Sequence, residues 1–365
     1  MALAAFAGFS ALAQPLVISN AAPVAIPRRA SIIFIQVDGL GYGDLSCYGQ
    51  TNFQTPNLDK LAAGGIRFTN YSIANNAAQS HAALLTGKNV SRARAPLPAN
   101  AVTVAQILKL AGYRTGAIGD WDLGNENSAA APWKKGFDQF AGYLNADAAA
   151  NFYAEYMFRY APRTILDSPE KPAHFIGREM LYYNTGGKHA TYIPDLLATA
   201  AANFAKENQP DAFNRWRPFF LLVNFKIPDG KIEVPSDAPF SEESWPQPEK
   251  NRAAFIARID GYVSQLQEQL TKLGMTNNVL VFFAGASAPK KTAETDPAFF
   301  QENLSAKDLR APLIVNWPEH IPAGAVSGLK CSPADFLPTA AEIGYAKLPA
   351  DVDGVSILNT LIGGK

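Results

Sequence analysis

Cysteine is scarce: Cys47 and Cys331 are the two thiols of this 365-residue chain. They form no C-x-x-C pair and are too few for a disulfide framework, which excludes a stapled mini-domain. Two separate buried thiols are the expectation, since pairing needs the fold to bring them within reach. Net charge is lacking too. The 32 basic and 32 acidic side chains cancel. No long basic block stands out, so neither nucleic acid nor an anionic membrane surface is an expected partner. No internal repeat is visible, and the apolar N-terminal stretch is too short to cross a bilayer as a helix.

What is present is an ordinary globular mix, 48% hydrophobic and 18% charged. The length suits one large α/β domain or two small ones. Residues 1–13, MALAAFAGFSALA, resemble the apolar part of a signal peptide ending in an A-x-A site at Ala11-Leu12-Ala13. The basic n-region is missing, because no Lys or Arg precedes Arg28. Either the natural start lies upstream or the signal is weak. Export to a periplasmic or extracellular space is the expectation. Residues 14–30 read as a linker, residues 31–345 as one α/β domain, and residues 346–365 as a tail.

Ser31 to Val37, SIIFIQV, is a continuous β-branched and apolar run that suits a strand buried on both faces. It ends in the glycine-rich Asp38-Gly39-Leu40-Gly41-Tyr42-Gly43-Asp44. Thr55, Pro56 and Gly64 mark the start and stop of a short helix. Further helices are predicted over 104–111, 194–206, 252–273 and 332–343, and further strands over 66–74, 115–119, 218–225, 279–283 and 312–315. This alternation predicts a doubly wound, mostly parallel sheet flanked by helices. Its ligands bind beyond the carboxyl ends of the strands. Residues 145–188 look irregular and aromatic-rich, an insertion.

Asp38-Gly-Leu-Gly-Tyr-Gly-Asp-Leu45, Thr55-Pro-Asn-Leu-Asp59, Ala82-Ala-Leu-Leu-Thr-Gly87, Gly136-Phe-Asp138, Arg310-Ala-Pro-Leu-Ile-Val315 and Asp353-Gly-Val-Ser356 follow one another in order. In that order they resemble the arylsulfatase-type sulfatases of the alkaline-phosphatase-like superfamily, over residues 31–362. The resemblance implies that fold, a calcium ion and a formylglycine nucleophile made from Cys or Ser in C/S-x-P-x-R. It also implies a smaller C-terminal subdomain, of which residues 357–365 leave no room for a counterpart.

At the catalytic positions the chain departs from the family pattern. Where the resemblance implies the nucleophile precursor stands Ala77, a methyl group with nothing to oxidise, in Ala77-Ala78-Gln79-Ser80-His81. Ser80 is the nearby hydroxyl, but it matches a different family position and reads as a residue bonding backbone N–H groups. His81 is its helix neighbour and does not face it. The implied metal ligands are two Asp after the first strand and Asp-Asn after a late one. The chain has Asp38 and Gly39, then Ala286 and Ser287. One carboxylate leaves calcium weakly held, and Asp38 otherwise ties its glycine-rich loop. The implied Lys and His of the charge-neutralising set are Asp120 and Asp122, and another His position holds Asp229. The histidine stretch after Gly142-Tyr-Leu144 is matched by residues 146–151, and a glutamate motif by 306–308. No lysine has the family's spacing around Gln301.

Three readings follow. In the first, the protein is a sulfatase-like pseudoenzyme that binds a glycan or protein through its inherited cleft, with no cofactor. In the second, it is an active hydrolase in which Asp38, Asp120, Asp122 and Asp229 hold a cation in a rebuilt site. In the third, it is a structural subunit of an extracellular assembly.

Overall fold

A computed structural model describes residues 29–145, 152–162, 174–209, 217–228, 230–289 and 309–363. The N-terminal signal-like segment, residues 146–151, Asp229, Gln301 and residues 306–308 lie outside them.

Among the described residues ten strands form one sheet: β1 (Ser31–Asp38), β2 (Ile66–Ser72), β3 (Arg114–Asp120), β4 (Gln139–Tyr143), β5 (Tyr156–Pro162), β6 (His174–Met180), β7 (Phe219–Lys226), β8 (Val279–Gly285), β9 (Arg310–Asn316) and β10 (Ala325–Ser327). Their order is β10-β2-β9-β8-β1-β7-β3-β4-β5-β6. The five central strands, from β8 to β4, run parallel, while β9, β5 and β6 join antiparallel. This is the doubly wound, mostly parallel sheet that the alternation predicts.

The reason is legible in β1, β7 and β8. Each is apolar at most positions, and nearly every residue is buried, as a strand covered by helices on both faces requires. One face packs against α2 (Ala77–Thr86), α3 (Val104–Leu110) and α6 (Phe336–Gly344), the other against α1 (Pro56–Ala63), α4 (Ile193–Glu207) and α5 (Gln247–Lys272). Phe34 stacks on Phe282 at 5.3 Å and meets the Phe336 edge at 4.6 Å. Each such side chain contributes about 1.5–3 kcal/mol by leaving water.

Several boundaries differ from the sequence reading. Thr55 precedes α1, but its hydroxyl bonds Ser46. The first N–H groups of α1 instead reach the Asp260 carboxylate of α5, with Leu58 N 2.8 Å from Oδ1. α5 begins at Gln247, with Pro248 in its first turn, rather than at Arg252. The segment read as helix from Ser332 starts as a 3-10 turn over Pro333–Asp335, and the left-handed residue that ends α6 is Tyr345 rather than Gly344. The stretch read as an irregular insertion contributes β5 and β6, an antiparallel pair that widens the sheet. Its alternation is blurred because the outer strand leaves Ile176 and Met180 exposed beside charged neighbours. Cys47 and Cys331 are unpaired, and of the two Cys331 is the buried one.

Candidate functional site

Asp38 is the last residue of β1, and Asp120 of β3. Both therefore stand at the carboxyl edge of the parallel sheet, where doubly wound folds bind ligands. α2 begins near the same edge. Asn76 caps it, its side chain accepting from Ala78 N at 2.8 Å. Ala77 is the first helical residue, and His81 lies four residues on, one turn away on the same face.

His81 Nε2 is 2.8 Å from Asp38 Oδ1, and both side chains are buried. Burial opposes a charge on His81. The Asp38 carboxylate, through its charge and its hydrogen bond, outweighs that, helped by Asp120 and Asp122, so the imidazole is held above its ordinary value. Asp120 is raised as well, which for an acid disfavours the charged form. Burial and the Asp38 charge push its carboxyl up to about 7, against the pull of Lys226 and His81. Lys226, which ends β7, places Nζ 3.7 Å from Asp120 Oδ2. Asn224, two residues earlier, donates from Nδ2 to the Asp120 carbonyl at 2.8 Å. Backbone contact here is tight. Gly119 has φ +102°, and a Cβ on it would stand 1.8 Å from the Asn224 carbonyl oxygen. Asp122 is half-buried with φ +47°, and its charge acts on both His81 and Asp120.

The structure thus gathers Asp38, His81, Asp120 and Asp122, with Ala77 one turn before His81 on α2. Ser80 is not part of the group. It is fully buried, and its Oγ accepts from Ala74 N at 2.9 Å, a structural bond of the kind expected. Asp38 does not tie the glycine-rich loop, because its Oδ1 is on His81. That task falls to Asp44, which accepts from Gly41 N at 2.7 Å and from Arg252 Nη2 at 2.7 Å. Arg252 also donates to the Gly39 carbonyl at 2.9 Å. Sequence reasoning missed Lys226, Asn224 and Asp44. The signal for the first two is a polar break, Asn224 and Lys226, in an otherwise apolar strand.

Calcium takes six to eight oxygens, several of them carboxylate. The position after Asp38 is Gly39, whose N–H donates to Ser287 Oγ at 2.9 Å. Ala286 is buried, and its N–H donates to the Val37 carbonyl at 2.9 Å. One oxygen of the Asp38 carboxylate is engaged by His81. Among the described residues no three His, Cys, Asp or Glu side chains come together as a metal cage. This donor set does not fit calcium, and Ala77 offers nothing to convert to formylglycine. No helix among the described residues is long and apolar enough to cross a membrane.

Comparison with known proteins follows the same lines. Human arylsulfatase A is 31% identical over 96% of this chain and 71% of its own length. Human N-acetylgalactosamine-6-sulfatase is 28% identical over 93% of this chain and 67% of its own length. The crystal structure of Ps i-CgsB in complex with k-i-k-neocarrahexaose superposes with a TM-score of 0.70 at 24% identity, covering 92% of this chain and 77% of that one. The sulfatase family model matches residues 30–344. With that match over most of its length, and with this sheet and its strand-edge cleft, the chain belongs to the sulfatase family.

Proposed function

We propose that this member of the sulfatase family is a pseudoenzyme: a protein that binds a ligand in the family cleft without cleaving sulfate esters. One observation carries the reading. His81 occupies the Asp38 carboxylate at 2.8 Å, so the one acidic ligand inherited from the family pattern is engaged by a buried imidazole. Ala77 stands beside it in place of a nucleophile precursor. Losing a nucleophile alone typically costs about 10⁶ in rate. Here the positions that would grip and neutralise a sulfate carry Gly39, Ala286, Asp120 and Asp122, and like charges within a few ångströms repel an anion by roughly a few kcal/mol. The signal-like N-terminus supports an exported protein working on a glycan or a protein outside the cytoplasm.

The test is sulfate release from 4-nitrophenyl sulfate and from sulfated sugars, with added calcium and with EDTA. No release above the uncatalysed rate is expected. Turnover that EDTA abolishes would overturn the proposal.

A further inference from the structure

Asp38 and Gly39 close the central strand β1, and their polar groups reach four other parts of the fold. The Asp38 carboxylate meets His81 of α2, with Oδ1 2.8 Å from Nε2. The Asp38 carbonyl accepts from Ile227 N, just past β7, at 2.9 Å. The Gly39 N–H donates to Ser287 Oγ, just past β8, at 2.9 Å. The Gly39 carbonyl accepts from Arg252 of α5, also at 2.9 Å. A backbone bond from Ala286 N to the Val37 carbonyl carries the β1–β8 ladder one step further. Asp38 and Gly39 are therefore a hub that joins α2, α5 and the loops after β7 and β8.

By the family resemblance, positions 38, 39, 286 and 287 are where calcium would tie the loops after β1 and β8. An ion does this by drawing several oxygens toward one point. The oxygens of this hub face donors instead: Asp38 Oδ1, both carbonyls and Ser287 Oγ are each bonded to an N–H or a ring nitrogen. The backbone has also closed around a residue without a side chain. Gly39 has φ +72°, and a Cβ on it would lie 3.0 Å from the Ile227 carbonyl oxygen. An Asp at this position strains the backbone and displaces the loop after β7. We infer that the hub is an ion-free clasp: hydrogen bonds between the protein's own groups do the holding assigned to calcium in the family pattern, and the fold neither needs the ion nor takes it up. Such a clasp holds whether or not a sulfate ester is cleaved, so it goes beyond the pseudoenzyme reading.

Calorimetric titration of the full chain with calcium chloride tests it, together with thermal unfolding in EDTA and in excess calcium. No heat of binding is expected, and the same melting temperature in both solutions. A fold held at about a hundred times the Kd of its ion would instead melt about 4 °C higher. Ser287→Ala removes the acceptor of the Gly39 N–H. It is expected to melt about 1–3 °C below native, by the same amount in EDTA and in calcium. Gly39→Asp supplies the family carboxylate, and it too is expected to melt below native with no recovery in calcium. The inference is overturned if the native protein binds calcium or melts higher with it, if Ser287→Ala melts with native, or if calcium recovers either variant. Titration of the native protein needs no variant to fold. Sulfate release is followed on the same preparations. Calcium uptake without release overturns the clasp alone, and release that persists in EDTA overturns the pseudoenzyme reading alone.

Discussion

Lys226 Nζ faces Asp120 Oδ2 at 3.7 Å across the boundary between β7 and β3. By the family resemblance the β3 position carries a lysine. Here the cation comes from the neighbouring strand, and the β3 position carries its counter-ion. The cleft thus holds a positive group beside a buried acid.

That buried acid has a pH signature. Asp120 is raised from 3.8 to about 7 by burial first, then by Asp38. An acid whose folded pKa exceeds its unfolded value keeps its proton longer in the folded state. Stability therefore falls as pH rises from about 4 to about 7 and stays lowered above. Asp120→Asn is expected to match the native protein at pH 4 and to exceed it by roughly 2–4 kcal/mol at pH 8. Urea unfolding at the two values checks this, and a variant no more stable than native at pH 8 would contradict it.

His81 has the same sign, over a higher pH range. Despite burial, Asp38 holds its imidazole above the ordinary value. The ionised pair stabilises fully below about pH 6.5, and its contribution fades as pH rises through the folded pKa. His81→Gln leaves Asp38 buried beside an uncharged group, and a broken buried pair costs about 3–5 kcal/mol. Denaturation at pH 6 and pH 9 is expected to show a larger deficit at pH 6.

Ala77→Ser and Ala77→Cys, expressed with a formylglycine-generating enzyme, are expected to stay inactive toward 4-nitrophenyl sulfate, because Gly39, Ala286 and Ser287 still fail to hold calcium. Turnover in either variant would show that the other departures are tolerated.

Lys135 is almost fully buried, and its Nζ donates to the carbonyls of Pro98, Ala99 and Ala101 at 2.8, 3.0 and 2.9 Å. Lys135→Met keeps the stem and orphans three acceptors, which is expected to cost about 3 kcal/mol. A chemical-denaturation midpoint unchanged from native would refute this role.

The central sheet was legible in the sequence because β1, β7 and β8 are apolar at nearly every position, and that pattern needs no knowledge of partners. β5 and β6 were not, since strands at a sheet edge mix exposed and half-buried residues and lose their period. Within the site, Ala77, Asp120 and Asp122 were found by position along the chain. The His81–Asp38 bond joins residues 43 apart, and the Arg252–Asp44 bond joins residues 208 apart. Lys226 and Asp120 likewise meet because β7 and β3 are adjacent. Pairings of this kind depend on strand order, which no local pattern encodes.

The place of β1 in the sheet sets a timetable for the newborn chain. Ile32 lies between Phe220 and Leu280, so both neighbours of this strand are synthesised long after it. Contacts so distant along the chain form slowly and leave apolar surface uncovered meanwhile. A nascent chain released before residue 285 is expected to be aggregation-prone and protease-sensitive, whereas one that includes β8 and β9 is expected to resist digestion. Of the described strands, β1 is the first made and among the last to be enclosed.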